Sequence, residues 1–171
     1  MKKRLDNSLL CLLYLSISAG LRQPRIVVVD SSGLNAMVAG TSPDRAVLAV
    51  TTGLLQELDR MELEAVLAEE LVQIRQNEIL PATVLVATFG LGRSRVLRSD
   101  RDVWADRGAV KLTRYPPALA SALEKVESSG STVSGMPSYM AHLWLAEPGQ
   151  DPAPRPGRLP VRERIEALRE L

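Results

Sequence analysis

Two rhythms of apolar and polar residues alternate along this chain. The runs Arg25-Ile-Val-Val-Val-Asp30 and Arg45-Ala-Val-Leu-Ala-Val-Thr51 are β-branched or apolar and read as strands. Ser31–Asn35 and Thr41–Asp44 carry the Ser, Gly, Asn and Pro of turns. From Gly53 to Leu58 a short helix begins, and Asp59 followed three residues later by Glu62 has the spacing of a capping box. Behind that box, Leu63, Val66, Leu67, Leu71 and Ile74 recur at helical spacing, which predicts a longer helix from Met61 to Gln76. Further helices are predicted over Asp100–Leu112, from Pro116 to Glu127, and, amphipathic, over Val161–Leu171. Ser128–Pro137 is a Ser/Gly-rich loop and Tyr139–Ala146 a short apolar element. Five prolines between Pro148 and Pro160 read as an extended linker. The pattern contains no internal repeat, and the class it predicts is α+β with helices dominating.

Two apolar runs bear on membranes. Ser8–Leu21 follows Lys2, Lys3 and Arg4, and it reads either as a first helix closed at Gly20 or as a signal peptide or membrane-surface anchor. Ile79–Gly92 contains Pro81 and reads as a buried helix or a shallow membrane contact. Neither run reaches the roughly 18–20 residues that a spanning helix needs.

Composition narrows the chemistry. The 171 residues are 46% hydrophobic and 24% charged, which is ordinary for one globular domain. A net charge of +1 argues against a nucleic-acid partner. The single cysteine, Cys11, excludes a disulfide framework or a Cys-rich metal site, and the single histidine, His142, excludes any chemistry that needs two imidazoles from this chain. Cys11 has no local histidine to activate it and reads as a small core residue; Trp104, Trp144 and His142 also read as core.

Several blocks carry a resemblance. Leu34–Leu55 followed by Leu58–Ala68, then Arg101–Leu112, Pro117–Lys125, Ala141–Pro148 and the closing Glu163-Arg-Ile-Glu-Ala-Leu-Arg-Glu-Leu171, closely resemble the HtpX-like zinc metalloendopeptidases in family order. The resemblance implies a zincin-like metallopeptidase domain, with a small sheet and a catalytic-type helix. It also implies that Ser8–Leu21 is a helix of the fold, since the family has a helix ending in Ala-Gly-Leu where this chain has Ala19-Gly-Leu.

The departures from the family are chemical. Its catalytic helix carries H-E-x-x-H, two imidazoles one turn apart on one zinc ion. This chain reads Glu69-Glu70-Leu71-Val72-Gln73 there, so the general-base position is kept as Glu70 while both histidine positions are changed. The resemblance places the third ligand position at Asp102, where the family has glutamate, and a structural hydrogen-bond acceptor at Asp106. A zinc-bound water has a pKa near about 7 against about 15.7 in bulk, so without metal a base faces roughly 12 kcal/mol more. On this reading the chain is a catalytically inactive homologue, not an enzyme, with no zinc or other cofactor. An arginine, with Arg75, Arg98 and Arg101 as candidates, is expected to take the place of the metal beside Glu69, Glu70 and Asp102.

The resulting expectation is a binding or structural subunit with a protein or peptide partner or a larger assembly. The edge strand Arg45–Thr51 is expected to pair with an extended peptide. Membrane contact is expected to be peripheral, through 8–21 or 79–92, and the location cytoplasmic. The alternative is a metalloendopeptidase with an atypical or partner-completed metal site. The expected layout is a peptidase-type domain over 1–147, a linker over 148–160, and a C-terminal helix over 161–171 packed on the same domain.

Overall fold

A computed structural model of the chain describes residues 2–87, 101–129, 133, 140, 143–146 and 159–171. It is helix-dominated with one small sheet, the α+β class read from the sequence. Helix α1 (Lys2–Ala19) leads into strands β1 (Arg25–Val29), β2 (Ala36–Ala39) and β3 (Val47–Thr51). Then follow α2 (Thr52–Glu57), α3 (Arg60–Arg75), α4 (Ile79–Ala87), α5 (Arg101–Thr113), α6 (Pro116–Ser128) and α7 (Val161–Arg169).

Local chemistry sets the boundaries. Gly20 has φ of 69°, the left-handed conformation that ends α1 as its glycine predicts. The capping box is formed in full: the Asp59 carboxylate accepts from the Glu62 backbone N–H at 2.9 Å, and the Glu62 carboxylate accepts from the Asp59 N–H at 2.8 Å. Pro81 falls in the first turn of α4, where the missing N–H costs no helical hydrogen bond. Thr41–Asp44 does not remain a simple turn, because Pro43–Arg45 closes into a 3-10 turn.

The strand order is β1-β3-β2, with β1 parallel and β2 antiparallel to β3. This corrects the edge expectation. Within Arg45–Thr51, β3 (Val47–Thr51) is the central strand, its backbone groups engaged on both sides, and Leu48, Ala49, Val50 and Thr51 are buried. The strand that the pattern missed is β2, whose short Ala-Met-Val-Ala run follows directly on turn residues. On its other side β2 takes Trp144 in an antiparallel bridge at Met37, and the Leu145 N–H donates to the Ala36 carbonyl at 2.7 Å.

Helix α3 runs through the centre, packed against α1, α5, α6 and β2. Every residue from Ala65 to Ile74 is buried, so Glu69 and Glu70 enter the core along with the apolar stripe of α3. The approach to α5 is close at Gly108, where an added Cβ would stand 2.5 Å from Val72 Cγ1. Trp144 is fully buried as expected, whereas Trp104 is 47% exposed on α5 and does not join the core. Cys11 is half-buried and packs on the core, and burial pushes its thiol up to about 11, leaving it the unreactive residue the sequence indicated. His142, Arg98 and the linker from 148 lie outside the described residues, apart from the linker's last positions, Leu159 and Pro160. Among the described residues, no helix is long and apolar enough to cross a membrane.

Candidate functional site

Three of the four sequence-indicated positions lie on neighbouring turns of α3: Glu69, Glu70 and Gln73, all buried. The fourth, Asp102, is buried in the first turn of α5, and Asp106 follows one turn later. The close packing of α3 on α5 thus brings carboxylates from two helices into one interior site. The Gln73 amide donates to both oxygens of Glu69, at 3.1 and 3.0 Å, one helical turn away.

An arginine does meet these carboxylates, but its main contributor is not one of the three candidates. Arg164 of α7 donates Nε to Asp106 Oδ2 at 2.8 Å and Nη2 to Asp106 Oδ1 at 2.6 Å. The same Nη2 reaches Glu69 Oε1 at 3.2 Å, and Nη1 donates to the Leu145 carbonyl at 2.9 Å. Of the candidates, Arg75 is exposed at the end of α3, and Arg101 is buried with Nε 3.9 Å from Asp102 Oδ1. The sequence did hold a signal for Arg164. Val161, Arg164, Ile165 and Leu168 share one face of α7 at helical spacing, and a single cation on an otherwise apolar face demands a buried acid.

Electrostatics follow from that arrangement. Burial is the main cause that raises the Glu69 carboxyl to about 7, with Asp106 and Asp102 adding to it, while Arg164 and Arg101 pull the other way. For Arg164, burial disfavours the charge, but Asp106, through charge and hydrogen bonds, together with the charges of Asp102 and Glu69, outweighs burial and holds the guanidinium protonated. Asp106 is the hydrogen-bond acceptor that the sequence indicated, with Arg164 as its donor.

A second position that shapes the site escaped the sequence reading. Asn35, which ends a stretch of turn composition, is fully buried. Its amide donates to the Ala146 carbonyl at 2.7 Å, and its Oδ1 accepts from the Ala146 and Ala36 N–H groups at 3.2 and 3.1 Å. It clamps the 143–146 segment beside β2, and Arg164 then binds the Leu145 carbonyl of that segment. The site therefore ties four parts of the chain together: α3, α5, α7 and the segment beside β2.

Comparison with known proteins places this geometry. The model of Peptidase family M48 matches residues 4–124. A "Protease HtpX homolog" of Tropheryma whipplei is 32% identical over 92% of this chain and 69% of its own length. One from Dictyoglomus thermophilum is 32% identical over 78% of this chain and 58% of its own, and one from Listeria monocytogenes is 25% identical over 92% and 71%.

These matches overturn two expectations. The chain was expected not to be an enzyme, yet the matched family is a peptidase family and these relatives are named proteases. It was expected to need no cofactor, yet the family normally binds zinc. The residues in place do not by themselves fit that ion. Glu69 and Gln73, which the resemblance matches to the imidazole positions, carry no imidazole, a guanidinium already bridges Glu69 and Asp106, and no metal-suited cluster of three His, Cys, Asp or Glu occurs among the described residues.

Proposed function

The chain belongs to peptidase family M48, and from that premise we propose that it is a metalloendopeptidase acting on proteins or peptides, its metal site atypical or completed by a partner. What supports this reading is the family match across α3, the helix whose buried Glu70 corresponds, by the resemblance, to the general-base position. Because the local donor set is oxygen-rich and holds Arg164, the metal in this reading draws on groups beyond Glu69, Gln73 and Asp102. A metal held there would supply Lewis acidity for the hydrolysis.

The chain's own residues do the rest. Glu70 moves a proton at its carboxylate, shielded from bulk water by the packing of α3. The Arg164–Asp106 pair holds α7 against α5, and Glu69 with Gln73 fixes the polar face of α3 beside it. An extended peptide that adds to the sheet has the outer side of β1 as its pairing edge, since β3 is central and β2 is flanked by residues 144–145. The partner that completes the site is a protein chain, alone or in a larger assembly.

The test uses the full-length protein, its metal content measured by elemental mass spectrometry before and after dialysis against a chelator. Cleavage of a fluorescently labelled unfolded protein is followed in parallel. The expected result is metal retained on purification, cleavage lost on chelation, and a loss of about 100-fold or more in Glu70→Gln. Cleavage that survives both treatments, or a metal-loaded protein that cleaves nothing, overturns the reading.

A further inference from the structure

The apolar part of helix α1 is covered on one side and open on another. From Ser8 to Leu21 it carries no charged residue. Leu12, Leu15, Ser16 and Ala19 turn into the core, with α3 as the principal packing partner. Leu10, Leu13, Tyr14 and Ile17 are exposed, between 39% and 67% of their surface. Their spacing of three, four and seven residues makes them a single stripe along the helix rather than scattered positions. A helix with apolar residues all round is normally buried all round, so the stripe is the face of α1 that lacks a cover within the described fold.

Charge says what kind of cover fits. Over residues 1–25 the chain has five cations (Lys2, Lys3, Arg4, Arg22 and Arg25) and one acid, Asp6. The remaining 146 residues carry 16 cations and 19 acids, so the net positive charge of the whole chain comes from the segment that bears the stripe. The basic residues flank the apolar stretch at both ends, three before it and two just after Gly20. A short apolar stripe between basic flanks complements a surface that is apolar inside and anionic outside. A second copy of this chain would set cations against cations at the same stripe.

We propose that α1 docks on an anionic lipid surface, lying in the interface with Leu10, Leu13, Tyr14 and Ile17 seated among the acyl chains and the flanking basic residues at the headgroups. The binding is peripheral and reversible, because four side chains bury too little apolar area to anchor a protein permanently and the basic residues supply the second attraction. It is separate from the carboxylate–arginine site, which lies on α3, α5 and α7.

The experiment is co-sedimentation of the full-length protein with sonicated vesicles, either of phosphatidylcholine alone or with about a third phosphatidylglycerol. The parent chain is expected to bind the anionic vesicles, with affinity falling about tenfold or more on neutral vesicles and again on raising the salt. Leu13→Glu with Ile17→Glu alters only exposed positions and is expected to abolish binding while leaving the thermal midpoint unchanged. Lys2→Gln with Lys3→Gln and Arg4→Gln is expected to cut binding to anionic vesicles about tenfold. Equal binding by the parent and the Leu13/Ile17 variant overturns the proposal. So does a parent chain that ignores vesicles and instead forms dimers, with the Leu13/Ile17 variant monomeric.

Discussion

Arg164 and Asp106 meet through two parallel N–H···O bonds, 2.6 and 2.8 Å long, with both side chains buried between α5 and α7. This fork-to-carboxylate geometry joins the last helix of the chain to the helices that carry the candidate site. The same guanidinium also reaches Glu69 and the Leu145 carbonyl, so one side chain closes contacts to three other segments.

Removing that cation is expected to be costly. Arg164→Met leaves Asp106 and Glu69 buried without their cation and should destabilise the fold by about 3–5 kcal/mol, read by urea unfolding. Arg164→Lys keeps a charge but loses the planar fork and should recover only part of the loss. A lysine variant as stable as the parent would show that the paired hydrogen bonds contribute little.

Stability should also depend on pH through Glu69. Its carboxyl is raised from 4.5 to about 7 in the folded chain, chiefly by burial. Below the lower value both states are protonated. Between the two values the unfolded chain gives up a proton that the folded chain keeps, so stability falls as pH rises, by roughly 3 kcal/mol at 1.36 kcal/mol per pH unit. Unfolding measured at about pH 5 and about pH 7.5 should therefore show a drop in the parent and a smaller drop in Glu69→Gln, which cannot ionise. Equal drops would locate the dependence elsewhere.

The α3–α5 contact gives a steric prediction. At Gly108 a new methyl would lie 2.5 Å from Val72 Cγ1 and 2.8 Å from Cγ2. Gly108→Ala should cost about 1–3 kcal/mol by overpacking, and adding Val72→Ala should recover much of it. Additive losses in that double-mutant cycle would mean that the helices shift apart instead. Since α3 and α5 carry Glu70 and Asp102, the single variant should also lower the proposed peptidase activity.

Periodicity and caps made most elements legible in advance. The Asp59–Glu62 box, Gly20 at the end of α1 and the stripe along α3 are local signals, decided within a few residues, and the structure has them where the sequence places them. The positions matching the family's ligands, Glu69, Gln73 and Asp102, were indicated only by the resemblance, and spacing adds no more than that Glu69 and Gln73, four apart, share a face of α3. The catalytic standing of the chain was not legible from those residues, and the comparison with named proteases corrected it.

Pairing across long sequence distances was decided only by the folded chain. Arg45–Thr51 was expected at an edge by resemblance alone, and β2, four residues long and hidden behind a turn, takes its second side. Arg164 lies 58 residues from Asp106 and 95 from Glu69, and local spacing cannot pair a cation with acids that far away. The sequence by itself determined where helices start and stop and which residues face inward, because hydrogen bonding and side-chain period act over one or two turns. Which buried charges neutralise one another, which strand is central and which apolar face of α1 stays open were set by packing. Those outcomes depend on what the rest of the chain brings to each surface.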